Sequence, residues 1–233
     1  MQQKSWRAGG LVAHIAFFTI PGAGHVNPTV GLVAELVARG HRVSYAVTAE
    51  HGGEVSRVGA RLVPYRTAMG EFRATMTNLS DPDRFTADDF AQVLRALALE
   101  TETVLPQLVD ALAGDRPDLV VYDGLSGWSG RLLAACWGAP AVRCIPTFAA
   151  NEHWSLGADG KYAAFEEHNA ALAAAFEEVG AMFERIGSPI PASEFFGTSE
   201  SGPALVFLPR EFQYAGETFG SDFHFVGPCL DER

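Results

Sequence analysis

The stretch AHIAFFTIPGAGHVNPTVGLVAELVAR (residues 13–39) joins an apolar run, a glycine-rich turn and a helical pattern in that order. The run AHIAFFTI (13–20) is apolar almost throughout, which is typical of a strand buried on both faces of a sheet. The turn contains one histidine, His25. Apolar residues then recur at helical spacing: Val30, Val33, Ala34 and Val37. The stretch therefore predicts the start of a strand–helix–strand unit.

The predicted helix begins at Asn27 and Pro28. Asparagine is a favourable N-cap residue, and proline suits the first position of a helix. Arg39 in the last turn and Gly40 after it indicate where the helix ends. His25 is then expected in the turn, just beyond the tip of the first strand.

The same alternation continues along the chain. Strands are predicted at residues 13–20, 42–48, 61–66, 118–123, 140–146, 204–209 and 223–228. Helices are predicted at 27–39, 50–58, 130–137 and 161–186, and another starts at a capping box formed by Thr86 and Asp89. Strands that alternate with helices predict an α/β fold, a Rossmann-like, doubly wound and mostly parallel sheet of about seven strands with helices on both faces.

Two prolines qualify this prediction. Pro64 cannot donate to a sheet ladder, so the third strand should lie at an edge or end there. Pro106 falls within the helix that starts at Thr86, and it should kink or divide that helix. Residues 67–84 show no periodicity, which predicts a long loop of the kind that is often functional.

The domain organisation is predicted to be simple. Residues 1–12 are expected to be a flexible leader, and residues 13–233 one domain without an internal linker. Lys4 and Arg7 precede the apolar stretch 11–20, as in a secretory signal peptide, but His14 interrupts the stretch and no clear small-residue cleavage site follows. A first core strand is therefore the favoured interpretation.

The composition excludes several classes of function. A net charge of -11 disfavours binding to nucleic acids or to an anionic membrane surface. No apolar run reaches the length of a membrane span, so stable membrane insertion is not expected. The three cysteines form no CxxC pair, which predicts reduced thiols in a cytoplasmic protein. The histidines show no metal-ligand spacing, so no metal site is predicted.

The topology of such a sheet predicts a site. Ligands bind beyond the carboxyl ends of the strands, where the strand order reverses and the first strand usually lies beside the fourth. Here the first strand leads to His25 and the fourth ends at Asp123. Because neighbouring strands are about 5 Å apart, the two side chains should come within hydrogen-bonding distance.

A His–Asp pair at this point can act as a general base. The carboxylate accepts a proton from one imidazole nitrogen and fixes the tautomer, which leaves the other nitrogen to accept a proton from a substrate. In the alternative interpretation, His25 only satisfies the backbone of the turn and Asp123 caps the following loop or helix. The position at the switch point favours the functional interpretation.

The segment Gly22-Ala23-Gly24 precedes a helix, and its amides can hold an anion such as a phosphate. Asn27 stands where the dinucleotide fingerprint has its third glycine. A nicotinamide-dependent enzyme, with Glu50 as the acidic residue after the second strand, is therefore the less favoured alternative. Aromatic residues in the connections on this side of the sheet are either ordinary core or the lining of an apolar pocket: Phe72, Phe85, Phe90, Trp128, Phe148 and Trp154.

Four pieces of the chain resemble the macrolide glycosyltransferases of actinomycetes: HIAFFTIPGAGHVNPTVGLVAELVARGHRVSYAV, RPDLVVYD, PTF at 146–148 and FHFVGP. They occur in the same order and span residues 13–228. These enzymes have the two-domain GT-B fold and glucosylate antibiotics such as oleandomycin from UDP-glucose. The resemblance implies that this chain corresponds to the N-terminal, acceptor-binding domain, without the C-terminal domain that binds most of the nucleotide sugar.

By this resemblance, His25 matches the base that deprotonates the acceptor hydroxyl, and Asp123 matches the aspartate that orients it. The transfer would invert the anomeric carbon and need no metal or cofactor, with a UDP-sugar as co-substrate and a hexose, glucose, as the transferred group. Gly22, Ala23, Gly24 and Asn27 would lie on the side of the donor phosphates. The predicted acceptor pocket contains Met69, Phe72, Phe90, Leu125, Trp128, Ile145, Phe148 and Trp154.

Three features depart from the family pattern. Ala23 stands where relatives often have a second histidine, and Ile145 where they often have a serine. The chain also ends where the interdomain linker of the family begins, which predicts that it transfers no sugar alone. A non-catalytic module that binds a ligand or supports a partner glycosyltransferase is the alternative.

Overall fold

The computed structural model describes residues 12–70, 85–125, 127–155, 169–195 and 202–229. The strands are β1 (His14–Phe18), β2 (Arg42–Val47), β3 (Arg61–Pro64), β4 (Leu119–Asp123), β5 (Ala141–Ile145), β6 (Ala204–Val206) and β7 (Phe223–Phe225). The α-helices are α1 (Ala23–Ala38), α2 (Gly52–Arg57), α3 (Ala87–Leu112), α4 (Trp128–Trp137), α5 (Ala170–Arg185) and α6 (Ala192–Phe195). The predicted leader up to residue 11, Phe72 and most of the predicted loop 67–84 lie outside the described residues.

The seven strands form one sheet in the order β3-β2-β1-β4-β5-β6-β7, and every neighbouring pair is parallel. The predicted doubly wound α/β fold is confirmed. β3, which ends at Pro64, lies at an edge of the sheet, where a residue without an N–H is tolerated. β1 lies between β2 and β4, so the reversal of strand order falls at the tips of β1 and β4.

The central strand β1 is buried on both faces. Ile15 and Phe17 pack into a core cluster with Val26, Val30 and Val33 of α1. On the other face, Ala16 and Phe18 pack against a second cluster that includes Val104 and Leu108 of α3 and Leu133 of α4. The continuous apolar run of β1 follows from this double burial, because no residue of the strand faces water.

The start of α1 differs from the prediction. The helix begins at Ala23, with Gly22 as N-cap, so Pro28 lies inside the helix rather than at its first position. His25 is consequently a residue of the first helical turn. The local sequence misled because Asn-Pro is a strong start signal, whereas the amides of His25 and Val26 already donate to the Gly22 carbonyl and form the first turn at Ala23.

Two other helices can be compared with their predicted form. The capping box of Thr86 and Asp89 is confirmed, but Pro106 does not divide α3, whose apolar face packs against the core on both sides of the proline. Of the helix predicted at 161–186, the structure describes Ala170–Arg185, whose N-cap Asn169 accepts a hydrogen bond from the Leu172 amide; residues 161–168 lie outside the described residues. That helix, α5, packs against α3 as a further layer.

Helix α4 approaches the sheet closely at Gly130. A β-carbon there would lie 2.6 Å from Cβ of Phe18 and 2.7 Å from Cβ of Tyr122, atoms that cannot move without shifting β1 or β4. We expect Gly130→Ala to lower the free energy of unfolding by about 1–3 kcal/mol, as overpacking of a core does. Urea denaturation measures this change.

The matched control is Gly53→Ala in α2, where a β-carbon would meet no atom within 4 Å. Alanine there should leave stability unchanged or raise it by up to about 1 kcal/mol. Equal urea midpoints for the Gly130 variant and the wild type would show that the stability of α4 does not depend on the close approach.

In the described part of the chain, no helix is both long and apolar enough to cross a membrane.

Candidate active site

His25 and Asp123 meet at the tips of β1 and β4. Nδ1 of His25 lies 2.6 Å from Oδ2 of Asp123, and the exposed fraction is 22% for the His25 side chain but 1% for that of Asp123. The contact predicted from strand order is therefore present. With Nδ1–H donating to the carboxylate, Nε2 is the nitrogen available to accept a proton from a substrate.

The loop after β4 holds the Asp123 carboxylate. Oδ1 accepts a hydrogen bond from the Leu125 amide at 2.9 Å, and the Gly127 amide donates to the backbone carbonyl of Asp123 at 2.8 Å. A β-carbon at residue 127 would lie 2.6 Å from that carbonyl oxygen, so only glycine fits. Gly127 was not among the predicted site residues, although a glycine four residues after a strand tip is a signal of such a close approach.

The predicted phosphate-side residues lie at the start of α1. Ala23, Gly24 and Asn27 are exposed there, whereas Gly22 is buried and its carbonyl accepts hydrogen bonds from the amides of His25 and Val26. Amides at a helix N-terminus attract anions, so this end of α1 is compatible with a phosphate. Contact with a donor stays a prediction.

The predicted acceptor residues divide into two groups. Leu125 is exposed beside Asp123, and Phe148 and Trp154 lie in the connection after β5. Trp128, by contrast, packs against Phe183 and Phe195 in the core cluster between α3, α4 and α5, and Phe90 packs against the same cluster. Trp128 is therefore mostly buried against α5, a contact that the sequence does not indicate, and its role toward an acceptor stays a prediction.

Two predicted acceptor residues, Met69 and Ile145, are buried. Ile145 ends β5 in a core cluster with Val206 and Phe219. Met69 is buried just after β3. Phe72 lies outside the described residues, so its place in a pocket stays a prediction.

Three aromatic rings form a cluster beyond the tips of β5 and β6. The ring of Tyr214 stacks on Trp154 with centroids 5.3 Å apart and lies 5.1 Å from Phe148, which in turn contacts Trp154 at 5.7 Å. Tyr214 is 59% exposed, so part of this cluster faces solvent. Nothing in the sequence marks Tyr214, because its segment carries no motif and meets Phe148 and Trp154 only through the fold.

Hydrogen bonds from two buried side-chain amides hold the loops that carry this aromatic cluster. The Gln213 side chain both accepts from the Ala149 amide and donates to the Ala149 carbonyl, while Asn151 Oδ1 accepts from the amides of His153 and Trp154. Asn151 also donates to the Thr218 hydroxyl. The rings therefore belong to a rigid wall, because satisfied buried polar groups fix the two loops that carry them.

A buried glutamate fixes the chain after β3. The Glu100 carboxylate of α3 accepts hydrogen bonds from the Thr67 hydroxyl at 2.8 Å and the Ala68 amide at 2.6 Å. Burial raises the pKa of the Glu100 carboxyl, while the hydrogen bonds from Thr67, Ala68 and Met69 act to lower it. Glu100 also lines a small cleft between β1, α3 and α4. Nothing in the sequence marks Glu100, because a glutamate within an amphipathic helix ordinarily faces solvent.

The chain is similar in sequence to proteins of known activity. It is 44% identical over 223 residues to demethyllactenocin mycarosyltransferase of Streptomyces fradiae. That alignment covers 94% of this chain and 47% of the relative. It is 33% identical over 228 residues to oleandomycin glycosyltransferase of Streptomyces antibioticus, and this second alignment covers 95% of this chain and 49% of the relative. The chain thus spans about half the length of the curated relatives it matches. No protein-family model matches it.

Solved structures give the same result. The calicheamicin glycosyltransferase CalG4 is 36% identical and superposes with a TM-score of 0.79, over 93% of this chain and 53% of that chain. The resemblance stated from the sequence motifs is confirmed by these alignments.

Proposed function

Because the chain belongs by homology to the glycosyltransferases of natural products with which it aligns, we propose that it is the acceptor-binding half of an inverting transferase. The complete enzyme would move a sugar from a nucleoside diphosphate to a hydroxyl of a macrolide or similar compound. The alignments pair this chain with the N-terminal half of GT-B enzymes, which supports a second, donor-binding domain as its partner. The single observation that carries the proposal is the His25–Asp123 hydrogen bond at the switch point.

The chemistry follows from that pair. Nε2 of His25 takes the proton of the acceptor hydroxyl while Asp123 stabilises the resulting imidazolium. The acceptor oxygen forms a bond to the anomeric carbon as the bond from that carbon to the diphosphate oxygen breaks, and the nucleoside diphosphate leaves with the electron pair. Attack on the face opposite the leaving group inverts the configuration. His25 acts as a base and not as a nucleophile, so no covalent intermediate forms.

The two substrates would lie on different sides of His25. The start of α1, with Ala23, Gly24 and Asn27 exposed and Gly22 buried behind them, would face the donor phosphates, where amides and the helix dipole stabilise negative charge. Leu125 and the aromatic cluster of Phe148, Trp154 and Tyr214 form the apolar wall for the acceptor. We propose a hexose as the transferred sugar, with UDP-glucose as the first donor to test.

Calorimetric titration of the 233-residue chain tests this assignment. We expect binding of a macrolide such as oleandomycin, far weaker binding of UDP-glucose, and no sugar transfer by the chain alone. Tyr214→Ala should weaken macrolide binding roughly three- to tenfold, because one aromatic face is removed from the wall.

The matched control is Phe212→Ala, which removes an exposed ring outside the aromatic cluster and should leave the affinity unchanged. Absence of binding for macrolides and similar natural products would refute the acceptor role. Rapid turnover of UDP-glucose by the chain alone would refute the need for a donor domain. Co-purification with an active glycosyltransferase whose rate does not depend on His25 would instead favour a non-catalytic supporting module.

A further inference from the structure

The helical turn that carries His25 has few stabilising interactions of its own. Gly22, the N-cap of α1, offers no side-chain cap, and the first turn contains no acidic residue. Gly24 has a low helix propensity. Pro28 has no N–H to donate to the carbonyl of Gly24, four residues earlier. Contacts with the rest of the fold must therefore hold this turn in the helical conformation.

Three buried hydroxyl groups supply such a contact. Oγ1 of Thr29 donates to the Val26 carbonyl at 2.8 Å, and the Tyr45 hydroxyl lies 2.6 Å from Oγ1 of Thr29. Oγ1 of Thr19 donates to the Tyr45 oxygen at 3.4 Å. Since Thr29 has one hydroxyl proton and gives it to Val26, Tyr45 is the donor to Thr29. Each hydroxyl thus donates to the next group in one direction: Thr19 to Tyr45, Tyr45 to Thr29, and Thr29 to the Val26 carbonyl in the first turn of α1.

Tyr45 is suited to this place. It lies on β2, is fully buried, and its ring stacks on Phe17 of β1 with centroids 5.4 Å apart and planes within 6°. Burial raises the pKa of the Tyr45 hydroxyl, so the group keeps its proton and stays a donor. The ring cannot turn away without breaking the core, which fixes the position of the hydroxyl oxygen.

The hydroxyl chain encloses the segment that carries His25. Thr19 follows β1 directly and precedes the turn, while Thr29 lies four residues after His25, one helical turn further on. Both ends of the segment are therefore tied to one oxygen atom on β2. A second tyrosine also holds Thr19. The hydroxyl of Tyr65, which directly follows β3, donates a hydrogen bond to the Thr19 carbonyl at 2.8 Å.

We propose that the Tyr45 hydroxyl is a positioning group, which through Thr29 and Thr19 holds the first turn of α1 so that the His25 imidazole meets Asp123. The consequence for sugar transfer rests on the proposed function, but the positioning itself does not. The Tyr45 and Thr29 side chains are buried, so they act through the backbone that carries His25.

Two hydroxyl deletions in the 233-residue chain test the proposal by NMR. Tyr45→Phe keeps the stacked ring, and Thr29→Val keeps the shape of the side chain. In both, we expect amide hydrogen exchange at His25 and Val26 to quicken about tenfold, which corresponds to the loss of one buried hydrogen bond. The Nδ1 proton of His25, donated to Asp123 in the wild type, should move upfield and exchange faster with water.

Two further variants separate positioning from general destabilisation. Thr29→Ser restores a hydroxyl and should restore wild-type exchange at His25. Thr101→Val removes a buried hydroxyl that donates to the Leu97 carbonyl within α3, and it should leave the His25 signals unchanged.

Wild-type exchange at His25 and Val26 in both folded deletion variants would overturn the proposal. So would a loss of protection spread evenly over the chain, or one that Thr101→Val reproduces. Because the experiment uses neither donor nor acceptor, its failure would leave the proposed sugar transfer untouched. Conversely, failure of the titrations above would leave this positioning role intact.

Discussion

Replacing His25 by glutamine is expected to lower kcat for sugar transfer by a factor of about 10²–10⁴, the range that a general base contributes. The assay uses a two-domain enzyme that carries this chain as its acceptor-binding half. Glutamine retains a polar side chain of similar reach but cannot accept the proton of the acceptor hydroxyl. The Michaelis constants should change little, because the proton moves only as the transition state forms.

The matched control for this variant is His224→Gln, which changes an exposed histidine on the edge strand β7 and should leave kcat unchanged. Thermal unfolding of both variants checks that the fold is intact. Wild-type kcat in a folded His25→Gln enzyme would remove His25 from the mechanism and leave only the structural interpretation of its contact with Asp123.

Replacing Asp123 by asparagine is expected to reduce kcat by a similar factor of about 10²–10⁴, although the change is isosteric. The Leu125 amide donates to Oδ1 of Asp123, so the carbonyl of the new side chain will stay on that side. Its NH₂ group then faces Nδ1 of His25 and donates to it. The histidine must switch tautomer and place its proton on Nε2, the nitrogen that should accept the substrate proton.

This tautomer switch can be measured without a substrate. Nitrogen-15 chemical shifts of the imidazole in the 233-residue chain should show protonated Nδ1 in the wild type and protonated Nε2 in Asp123→Asn. Asp222→Asn, an exposed change of the same chemistry, should alter neither the shifts nor kcat. An unchanged tautomer together with an unchanged rate would contradict the proposed role of Asp123.

The His25–Asp123 pair was predictable because it depends on strand order, which the alternation of apolar runs and helical patterns indicates. Each strand tip is marked by its own local signals, and parallel connections place all the tips on one edge of the sheet. Pro64 predicted a strand at an edge or a strand end, because proline cannot donate to a sheet ladder, and β3 lies at the edge of the sheet and ends at Pro64. The phosphate-side and acceptor roles of individual residues are still predictions.

Other features depend on contacts between segments far apart in the chain. Trp128 packs against Phe183 of α5, and Tyr214, in a connection after β6 that has no motif, stacks on Trp154. Glu100 is buried because the chain after β3 brings two hydrogen-bond donors to it. Residue patterns within one helix or loop carry no information on such docking.

The sequence by itself determined the sheet, its central buried strand and the meeting of a histidine with an aspartate at the strand tips, because hydrophobic periodicity and chain connectivity are local properties. Only the tertiary structure decided where α1 begins and therefore how His25 is held. The local signal at Asn27 and Pro28 favours a later start, but the bonds from Thr29 to Tyr45 and from His25 to Asp123 join segments that are distant in sequence. Together these contacts outweigh the weak helix propensity of the glycine-rich turn, which becomes the first turn of the helix.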